Sequence, residues 1–336
     1  MANMIIPENY DSKYGIMDTE IAIKVTKDFF EKELANILNL TRISAPLFLK
    51  KATGLNDNLN GVERPVAFKM KEIPEETIEI VHSLAKWKRL ALKRYGVPSG
   101  EGIYTDMNAI RRDEDLDNTH SIYVDQWDWE KVITEKERNF DYLKETVKKI
   151  YEVFKKTENM LSEKYSKLKK FLPEEVTFIT SQELENMHPE LTPEERENEF
   201  AKKNGAIFIM QIGKILESGK RHDGRAPDYD DWNLNGDLIM WNPVLDRALE
   251  LSSMGIRVDR DSLDRQLKEL GMEDRKVLEY HRLLLDGKLP LTIGGGIGQS
   301  RICMFLLQKA HIGEVQASIW SNDIISLCEK NGINLL

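Results

Sequence analysis

Two carboxylates stand in segments whose other residues are typical of buried strands: Asp237 in NGDLIMWNP and Glu250 in ALELSSMGIRV. A buried carboxylate is costly unless it is paired with a cation or bound to a metal. Magnesium is usually held by one or two carboxylates together with substrate phosphates. Asp237 and Glu250 are therefore candidate magnesium ligands, with two solvated acids at strand ends as the alternative. Strand alternation also places Ser252 on the face of Glu250.

Three arginines, Arg111, Arg257 and Arg301, are candidates to bind phosphate or to stack on a base. Arg301 ends a glycine run, TIGGGIGQSR, at 292–301. The spacing of this run matches neither the dinucleotide fingerprint nor the phosphate loop of common nucleoside triphosphatases. Because glycine permits positive φ and close approach of a ligand to the backbone, we interpret the run as a surface for a planar group. A tight turn between a strand and a helix is the alternative.

Polar side chains interrupt other segments as well. Alternation in SIYVDQWDWE (121–130) places Gln126 and Asp128 on one strand face, which is either a wet sheet surface or the lining of a cleft. The segment HSLAKWKR (82–89) places cations at the start of a helix, where anions bind. The loop RHDGRAPDYDDWN (221–233) alternates cations with aspartates. The arginines, carboxylates and glycine run together are the parts of a site for ATP and magnesium.

The bulk composition is that of an ordinary globular protein, with 336 residues of which 41% are hydrophobic. The net charge of −9 lowers the expectation of a nucleic-acid partner, since such proteins usually carry a basic face. Two cysteines, Cys303 and Cys328, are too few for a disulfide framework, and the N-terminal residues do not resemble a signal peptide. We therefore expect a cytoplasmic protein without a nucleic-acid or membrane partner.

Hydrophobic periodicity predicts the elements that position these residues. We expect helices at 18–40, from Ser83 onward, as one long helix at 131–170, at 193–204 and at 260–285. We expect strands at 43–49, 65–70, 77–82, 121–130, 176–180, 206–211, 237–241 and 248–258. This order predicts an α+β fold, an antiparallel sheet flanked by helices. We expect a single catalytic domain over 1–336, with a charged, helical embellishment at about 131–205.

Several of these motifs resemble the signatures of class II aminoacyl-tRNA synthetases. GGGIGQSR (294–301) resembles their third signature, AIRRDEDL (109–116) resembles the second, and Pro46 stands where the first keeps a proline. The chain is most similar to the ammonia-dependent asparagine synthetases, or aspartate–ammonia ligases, which share that catalytic fold. The resemblance runs from about residue 15 to 320. The further blocks that carry it are HSLAKWKR (82–89), YVDQWDWE (123–130), RAPDYDDW (225–232), NGDLIMWNPV (235–244) and LELSSMGIRVD (249–259).

The resemblance implies a reaction and a set of partners. Aspartate and ATP would give β-aspartyl-AMP and pyrophosphate, and ammonia would then give asparagine and AMP. It also implies a homodimer that uses magnesium with ATP as co-substrate.

The same resemblance assigns roles to individual residues. Asp57 and Asp128 would hold the ammonium group of aspartate, Lys88 and Arg257 would bind its carboxylates, and Ser83 and Gln126 would complete its site. Arg111 would bind the α-phosphate, although Arg112 leaves the register uncertain by one. Arg301 would stack on adenine, and Asp230 would lie near the amide-forming centre. Ser252, Gly296 and Gly298 would line the nucleotide site, and Asp237 and Glu250 would bind magnesium.

Three rival interpretations need different features. A synthetase that charges tRNA needs an RNA-binding domain, which no segment resembles. A glutamine-dependent asparagine synthetase needs a cysteine directly after the initiator methionine, where this chain has Ala2. A non-catalytic paralogue that binds aspartate or adenylate would need neither both magnesium carboxylates nor Arg301.

Overall fold

The computed structural model describes residues 4–57, 59 and 63–336. Its α-helices are α1 (Ile16–Leu38), α2 (Ala85–Tyr95), α3 (Phe140–Lys164), α4 (Ser181–Met187), α5 (Pro193–Asn204), α6 (Arg260–Glu269), α7 (Glu279–Leu285), α8 (Gln299–Leu306) and α9 (Asn322–Lys330). Its strands are β1 (Leu40–Arg42), β2 (Phe48–Lys50), β3 (Ala67–Met70), β4 (Ile73–Ile80), β5 (Gly102–Ile110), β6 (Tyr123–Val132), β7 (Thr177–Thr180), β8 (Ala206–Met210), β9 (Asp230–Asn242), β10 (Arg247–Arg257) and β11 (Thr292–Gly298).

Eight of these strands form one large sheet, in the order β1-β5-β6-β11-β10-β9-β8-β7. The five interior pairings from β5 to β8 are antiparallel, and only β1 with β5 and β7 with β8 run parallel among the described strands. A second sheet, β2-β4-β3, has three strands. The predicted α+β class with a mainly antiparallel sheet is confirmed.

One face of the large sheet packs against α1, α3 and α8 in the main hydrophobic core. The apolar stripe predicted for the long helix is buried there, including Leu143, Val147, Ile150 and Phe154. Phe30 of α1 stacks on Trp127 of β6 with ring centroids 4.9 Å apart. This dry face leaves the opposite face of the central strands to carry the polar residues of β6, β9 and β10.

The structure corrects several predicted bounds. The helix expected at 131–170 is shorter because β6 continues to Val132 and α3 begins only after Asn139, whose side chain accepts a hydrogen bond from the Tyr142 amide. The helix expected at 260–285 is interrupted, since Gly271 adopts positive φ after α6. The strand expected at 43–49 is correct only at its end, since β1 finishes at Arg42 and β2 begins at Phe48.

Two further bounds bear on the cavity described below. Ser83 is not the residue that caps α2, which begins at Ala85 after Leu84, although the Ser83 hydroxyl accepts a hydrogen bond from the Ala85 amide at 3.1 Å. The end of the polar loop at 221–233 is strand rather than loop, because β9 begins at Asp230. No helix in the described part of the chain is long and apolar enough to cross a membrane.

Candidate active site

The polar face of the large sheet forms the floor of a cavity of about 400 Å³. Its walls come from the chain before α2, the end of β5 and the loop that precedes β9. The predicted site residues that line it are Asp57, Ser83, Arg111, Gln126, Asp128, Asp230, Glu250, Ser252, Arg257, Gly296, Gly298 and Arg301. Lys88 and Asp237 lie behind this surface, where they contact the lining residues Asp128 and Arg225.

A network of buried charges lies in the cavity floor, where β6 and β10 flank β11. Lys88 is fully buried and donates hydrogen bonds to the Asp128 carboxylate and, at 2.7 Å, to the Trp129 carbonyl oxygen. Its Nζ also lies 3.5 Å from Oε2 of Glu130. Buried charges of this kind are tolerated only when each has partners. Lys88 is therefore held by two carboxylates of neighbouring β6 positions on one strand face.

Arg257 completes this network from β10. Its Nη2 donates to Glu130 Oε2 at 2.8 Å, and its Nη1 donates to the Asp230 carboxylate. Burial alone would raise the pKa of Glu130, but the charges of Arg257 and Lys88 hold that pKa below its usual value. Burial has the larger effect at Asp230, whose pKa is raised despite Arg257. The floor thus presents positive and negative groups side by side. A bound amino acid needs both, because it carries an ammonium group and a carboxylate.

The glycine run is a strand, not a turn. Gly294 lies opposite Glu130, and Gly296 lies opposite Asp128, in the register of β11 with β6. A Cβ atom on Gly294 would lie less than 3.0 Å from the Glu130 carboxylate and from the Arg257 guanidinium. No glycine of β11 has positive φ. The expectations of positive φ and of a tight turn are therefore wrong: glycine is required here because the Glu130–Arg257 pair occupies the space of a side chain.

The opposite end of the cavity carries Arg301, in the first turn of α8. Its guanidinium donates to the Glu250 carbonyl oxygen at 3.1 Å, so it bridges α8 to β10. The start of α8 is fixed by Asp125, which accepts hydrogen bonds from the amide and hydroxyl of Ser300 at 3.0 and 2.8 Å.

Ser252 donates to the Gly296 carbonyl oxygen at 3.1 Å. Arg111 follows directly after β5, with its Nη1 3.7 Å from Glu114.

The two predicted magnesium ligands lie on adjacent antiparallel strands. The register shifts between Glu250 and Ser252, so that Glu250 lies opposite Ile239 and Ser252 opposite Leu238. This β-bulge places the Glu250 side chain on the sheet face that carries Asp237, and it places the Ser252 side chain on the opposite face. The expectation that Glu250 and Ser252 share a strand face is therefore wrong. The Glu250 side chain is exposed to solvent. Desolvation at the cavity and the charge of Asp237 raise its pKa. Two mutually repelling carboxylates fit a divalent cation that arrives with phosphates.

The Arg225 guanidinium lies beside Asp237, where a magnesium ion would bind. No role was predicted for Arg225 from the sequence. Its Nη2 donates to both carboxylate oxygens, at 2.6 and 2.8 Å, and its Nη1 donates to the Ser253 hydroxyl at 2.5 Å. Within the described residues, no group of three or more His, Cys, Asp and Glu side chains forms a ready-made metal site. Asp237 and Glu250 are thus at most two protein ligands, and the remaining ligands would be phosphate oxygens and water.

Asp57 and His82 lie side by side on a further wall. The side-chain oxygen of Asn56 accepts hydrogen bonds from the backbone amides of both, at 3.0 and 2.8 Å. Burial raises the pKa of Asp57 to about 6, although Lys86 opposes the shift. Burial and the charge of Arg111 lower the pKa of His82. His82 was not among the predicted site residues. Its position directly before Ser83 in HSLAKWKR is the sequence feature that could have identified it.

A buried aspartate, Asp228, supports the loop that carries Asp230. Its Oδ2 lies 3.3 Å from Nζ of Lys86, 3.0 Å from Nη1 of Arg275 and 3.0 Å from Nε2 of His281. Burial alone would raise the pKa of Asp228, but Lys86, His281 and Arg275 together hold it well below its usual range. These contacts join the chain before β9 to α2 and to the segment between α6 and α7. Asp228 therefore anchors one wall of the cavity from behind.

Comparison with known proteins decides the family. A family model described as aspartate-ammonia ligase matches residues 17–332. The chain belongs to the aspartate–ammonia ligase family. A relative from Ruminiclostridium cellulolyticum, named aspartate–ammonia ligase, is 66% identical over 336 residues, which is 100% of both chains. A family member of the same name from Lactobacillus johnsonii is 60% identical over 334 residues, covering 99% of each chain.

Solved structures confirm the expected fold. Asparaginyl-tRNA synthetase from Pyrococcus horikoshii, complexed with asparaginyl-adenylate, aligns with 90% of this chain and 70% of its own, at a TM-score of 0.66 and 15% identity. The enzyme from Entamoeba histolytica, also with asparaginyl-adenylate, aligns with 90% of this chain and 66% of its own, at a TM-score of 0.64 and 15% identity. The fold of this chain is therefore that of the class II synthetase catalytic domains.

Proposed function

We propose that this chain converts L-aspartate, ammonia and ATP into L-asparagine, AMP and pyrophosphate, through a β-aspartyl-AMP intermediate. One observation carries the proposal: the buried network of Lys88, Asp128, Glu130, Arg257 and Asp230 lies in the floor of the same cavity as Arg111 and Arg301. The network suits an amino acid, and the arginines suit a nucleotide. Membership of the ligase family supports the same assignment.

The amino-acid end of the cavity would hold aspartate by charge pairing. Asp57 and Asp128 would bind its ammonium group, and Arg257 and Lys88 would bind its carboxylates, with Lys88 acting from behind Asp128. Ser83 and Gln126 would donate the remaining hydrogen bonds. Lys88, Asp128 and Arg257 already have ion-pair partners, whereas one carboxylate oxygen of Asp57 has no partner among the described residues. The ammonium group of aspartate would supply that partner, so binding would leave no charge buried alone.

The nucleotide end would place ATP along the glycine strand. Arg301 would stack on adenine, Ser252, Gly296 and Gly298 would line the base and ribose, and Arg111 would bind the α-phosphate. A carboxylate is a poor electrophile, and adenylation gives it a good leaving group. Transfer of the α-phosphoryl group needs alignment and neutralisation of charge more than covalent help, and Arg111 would supply both.

Asp237 and Glu250 would hold magnesium together with phosphate oxygens of ATP. A bound magnesium ion supplies neutralisation of the charge that develops on those phosphates. Arg225 must release Asp237 for this arrangement, and its guanidinium would then be free to pair with the phosphates. Asp230 would lie beside the centre where the amide forms.

We also propose a single catalytic domain over 1–336 that works as a cytoplasmic homodimer without nucleic acid. The large sheet supports the domain assignment, since its strands come from Leu40 through Gly298 and β7 and β8 extend it directly. The helical segment at 131–205 is then an embellishment of one unit. Light scattering of the purified protein tests the dimer, which requires twice the mass of one chain.

Product analysis by mass spectrometry tests the reaction. The protein is incubated with ATP, magnesium and aspartate, together with ammonium chloride, with glutamine, or with neither. We expect asparagine and AMP in equal amounts, with ammonium only. Binding of aspartate and ATP without any asparagine would contradict the proposal and favour the non-catalytic paralogue.

A further inference from the structure

Amide formation requires an uncharged nitrogen nucleophile, and ammonia in neutral water is mostly ammonium, whose lone pair holds a proton. A base in the cavity must remove that proton before the nitrogen attacks. Asp230, the residue placed nearest the amide-forming centre by resemblance, is hydrogen-bonded to Arg257. Its carboxylate is therefore already committed to a cation, so another group is better placed to act as the base.

His82 lies on the cavity wall between the end of β4 and the start of α2. The His82 side chain is almost fully buried, and neither ring nitrogen forms a hydrogen bond of good geometry with any residue that the structure describes. The backbone of Asp57 makes only a weaker polar contact with the ring. Buried polar atoms without partners are rare and call for an explanation. A small polar ligand that enters the cavity would give the imidazole its partner.

The position of this ring is fixed rather than accidental. Asn56 binds the amide of His82 on one side and the amide of Asp57 on the other, and its Nδ2 donates to Glu79 and to the Ile80 carbonyl oxygen, each at 3.2 Å. These bonds tie the loop of Asp57 to the end of β4. The imidazole and the Asp57 carboxylate are consequently held together at one point of the wall.

The charges around His82 favour its neutral form. Burial acts first and the Arg111 guanidinium second, and both lower the pKa of His82. The Asp57 carbonyl group, Glu63 and Glu79 act in the opposite direction without reversing the shift. Arg111 is also the residue that we expect to bind the α-phosphate, so His82 would lie near the acyl phosphate. A neutral imidazole can accept a proton from ammonium.

We propose that the His82 imidazole is the base that takes a proton from ammonium, beside Asp57, and so delivers ammonia to the β-carbonyl carbon of aspartyl-AMP. This inference rests on the proposed function. The nitrogen lone pair forms the C–N bond, the carbon–oxygen bond to phosphate breaks, and its electron pair leaves with AMP. His82 passes its proton to water through the open cavity. Water takes the second nitrogen proton, which is lost as the tetrahedral intermediate collapses.

Hydroxylamine provides the decisive comparison, because it is uncharged at neutral pH and attacks without first losing a proton. The variant His82→Gln is assayed with ammonium, with hydroxylamine and for aspartate-dependent ATP–pyrophosphate exchange. We expect the rate with ammonium to fall about 100-fold, the usual size of a general-base effect. Aspartyl hydroxamate formation and the exchange rate should stay close to wild type. The exchange assay also shows that the variant folds and activates aspartate.

Two controls separate the possible failures. His188→Gln changes a histidine away from the cavity and should leave all three rates unchanged. His82→Asn repeats the test with a shorter side chain. Equal losses with ammonium and hydroxylamine, or an unchanged rate with ammonium, would overturn the role of His82. Failure of the wild-type chain to make any asparagine would instead contradict the proposed function.

Discussion

The guanidinium group of Arg225 lies across the carboxylate of Asp237, with Nη2 donating to both oxygens at 2.6 and 2.8 Å. Asp237 is one of the two residues that we expect to bind magnesium with ATP. The Arg225 guanidinium therefore occupies the position beside Asp237 that a magnesium ion would need. Magnesium and nucleotide must displace Arg225, and each competes with an ion pair that is largely shielded from water.

Replacement of Arg225 by methionine should make the protein respond to magnesium alone. In Arg225→Met, Asp237 loses its ion-pair partner, while Arg301 stays near Glu250. A divalent cation can then bind Asp237 without displacing a guanidinium. Magnesium at about ten times its dissociation constant should then stabilise the variant by about 1.4 kcal/mol. Thermal unfolding with and without MgCl₂, at matched ionic strength and without ATP, measures this effect.

The wild-type protein should show a smaller shift in the same experiment. The double variant Arg225→Met/Asp237→Asn should lose the response, because it removes one of the carboxylates. A magnesium response of equal size in the wild type and the single variant would show that Arg225 does not compete with the metal.

Removal of the Lys88 charge should destabilise the protein strongly. In Lys88→Met, Asp128 and Glu130 lose a fully buried cation, and breaking a buried ion pair in this way costs about 3 to 5 kcal/mol. Urea denaturation measures the loss in the free energy of unfolding. The matched change Lys24→Met removes an exposed partner of Asp28 and should have little effect. Similar stability for both variants would contradict the importance of the buried network.

Alanine at Gly294 should disturb both stability and aspartate binding. Its Cβ would collide with Glu130 and Arg257, which are both buried and held by other bonds. Overpacking of this kind costs about 1 to 3 kcal/mol. Calorimetric titration with aspartate should also show weaker binding, because the collision displaces Arg257. Gly298→Ala is the comparison for stability, since its Cβ would come no closer than 3.4 Å to any described atom outside its immediate neighbours.

Asp57 should make the protein less stable as the pH rises. Its pKa is about 6 in the folded protein and 3.8 in the unfolded chain, because burial disfavours the charge. Between these values the folded state binds the extra proton, so stability falls as the pH rises from about 4 to about 6 and stays lower above. Asp57→Asn should therefore be more stable than wild type at neutral pH, by up to about 3 kcal/mol.

This difference should disappear below pH 4, where both states of the wild type carry the proton. The same variant should bind aspartate more weakly at neutral pH, since it lacks the charge that holds the ammonium group. Urea denaturation at several pH values measures the first effect, and calorimetric titration measures the second. A wild-type protein more stable than Asp57→Asn at pH 7 would contradict the assigned burial cost.

Much of the fold follows from periodicity in the sequence. The alternation in 121–130 predicts β6, and the stripe from Leu143 to Phe154 predicts the buried face of α3. The early start of β9 at Asp230 does not follow from periodicity, because it depends on contacts between residues that are distant in sequence. Asp231 looks like a loop residue, but its carboxylate is bound by Arg138 and Arg265. These tertiary ion pairs let polar residues continue β9 where composition alone predicts a loop.

The residues of the candidate site remain a prediction. Resemblance to class II synthetases named the residues, and the structure brings most of them to one cavity. No local pattern indicates that Glu130 pairs with Arg257, because the two residues meet only when β11 lies between their strands. Likewise, no local pattern indicates that Arg225 covers Asp237. Both relationships depend on strand order and on loop position, and neither of these is encoded in local spacing.

The glycine strand has a consequence for how this protein could change. Its residues present peptide groups and no side chains at the centre of the cavity floor, and added side chains at Gly294, Gly295 and Gly296 collide with neighbouring atoms. The floor therefore has no room for a side chain at Gly294 or Gly295, and a side chain at Gly296 would have to displace the Gln126 amide. Any new specificity in a descendant or an engineered form would have to arise on β6, on β10 or in the loops above them.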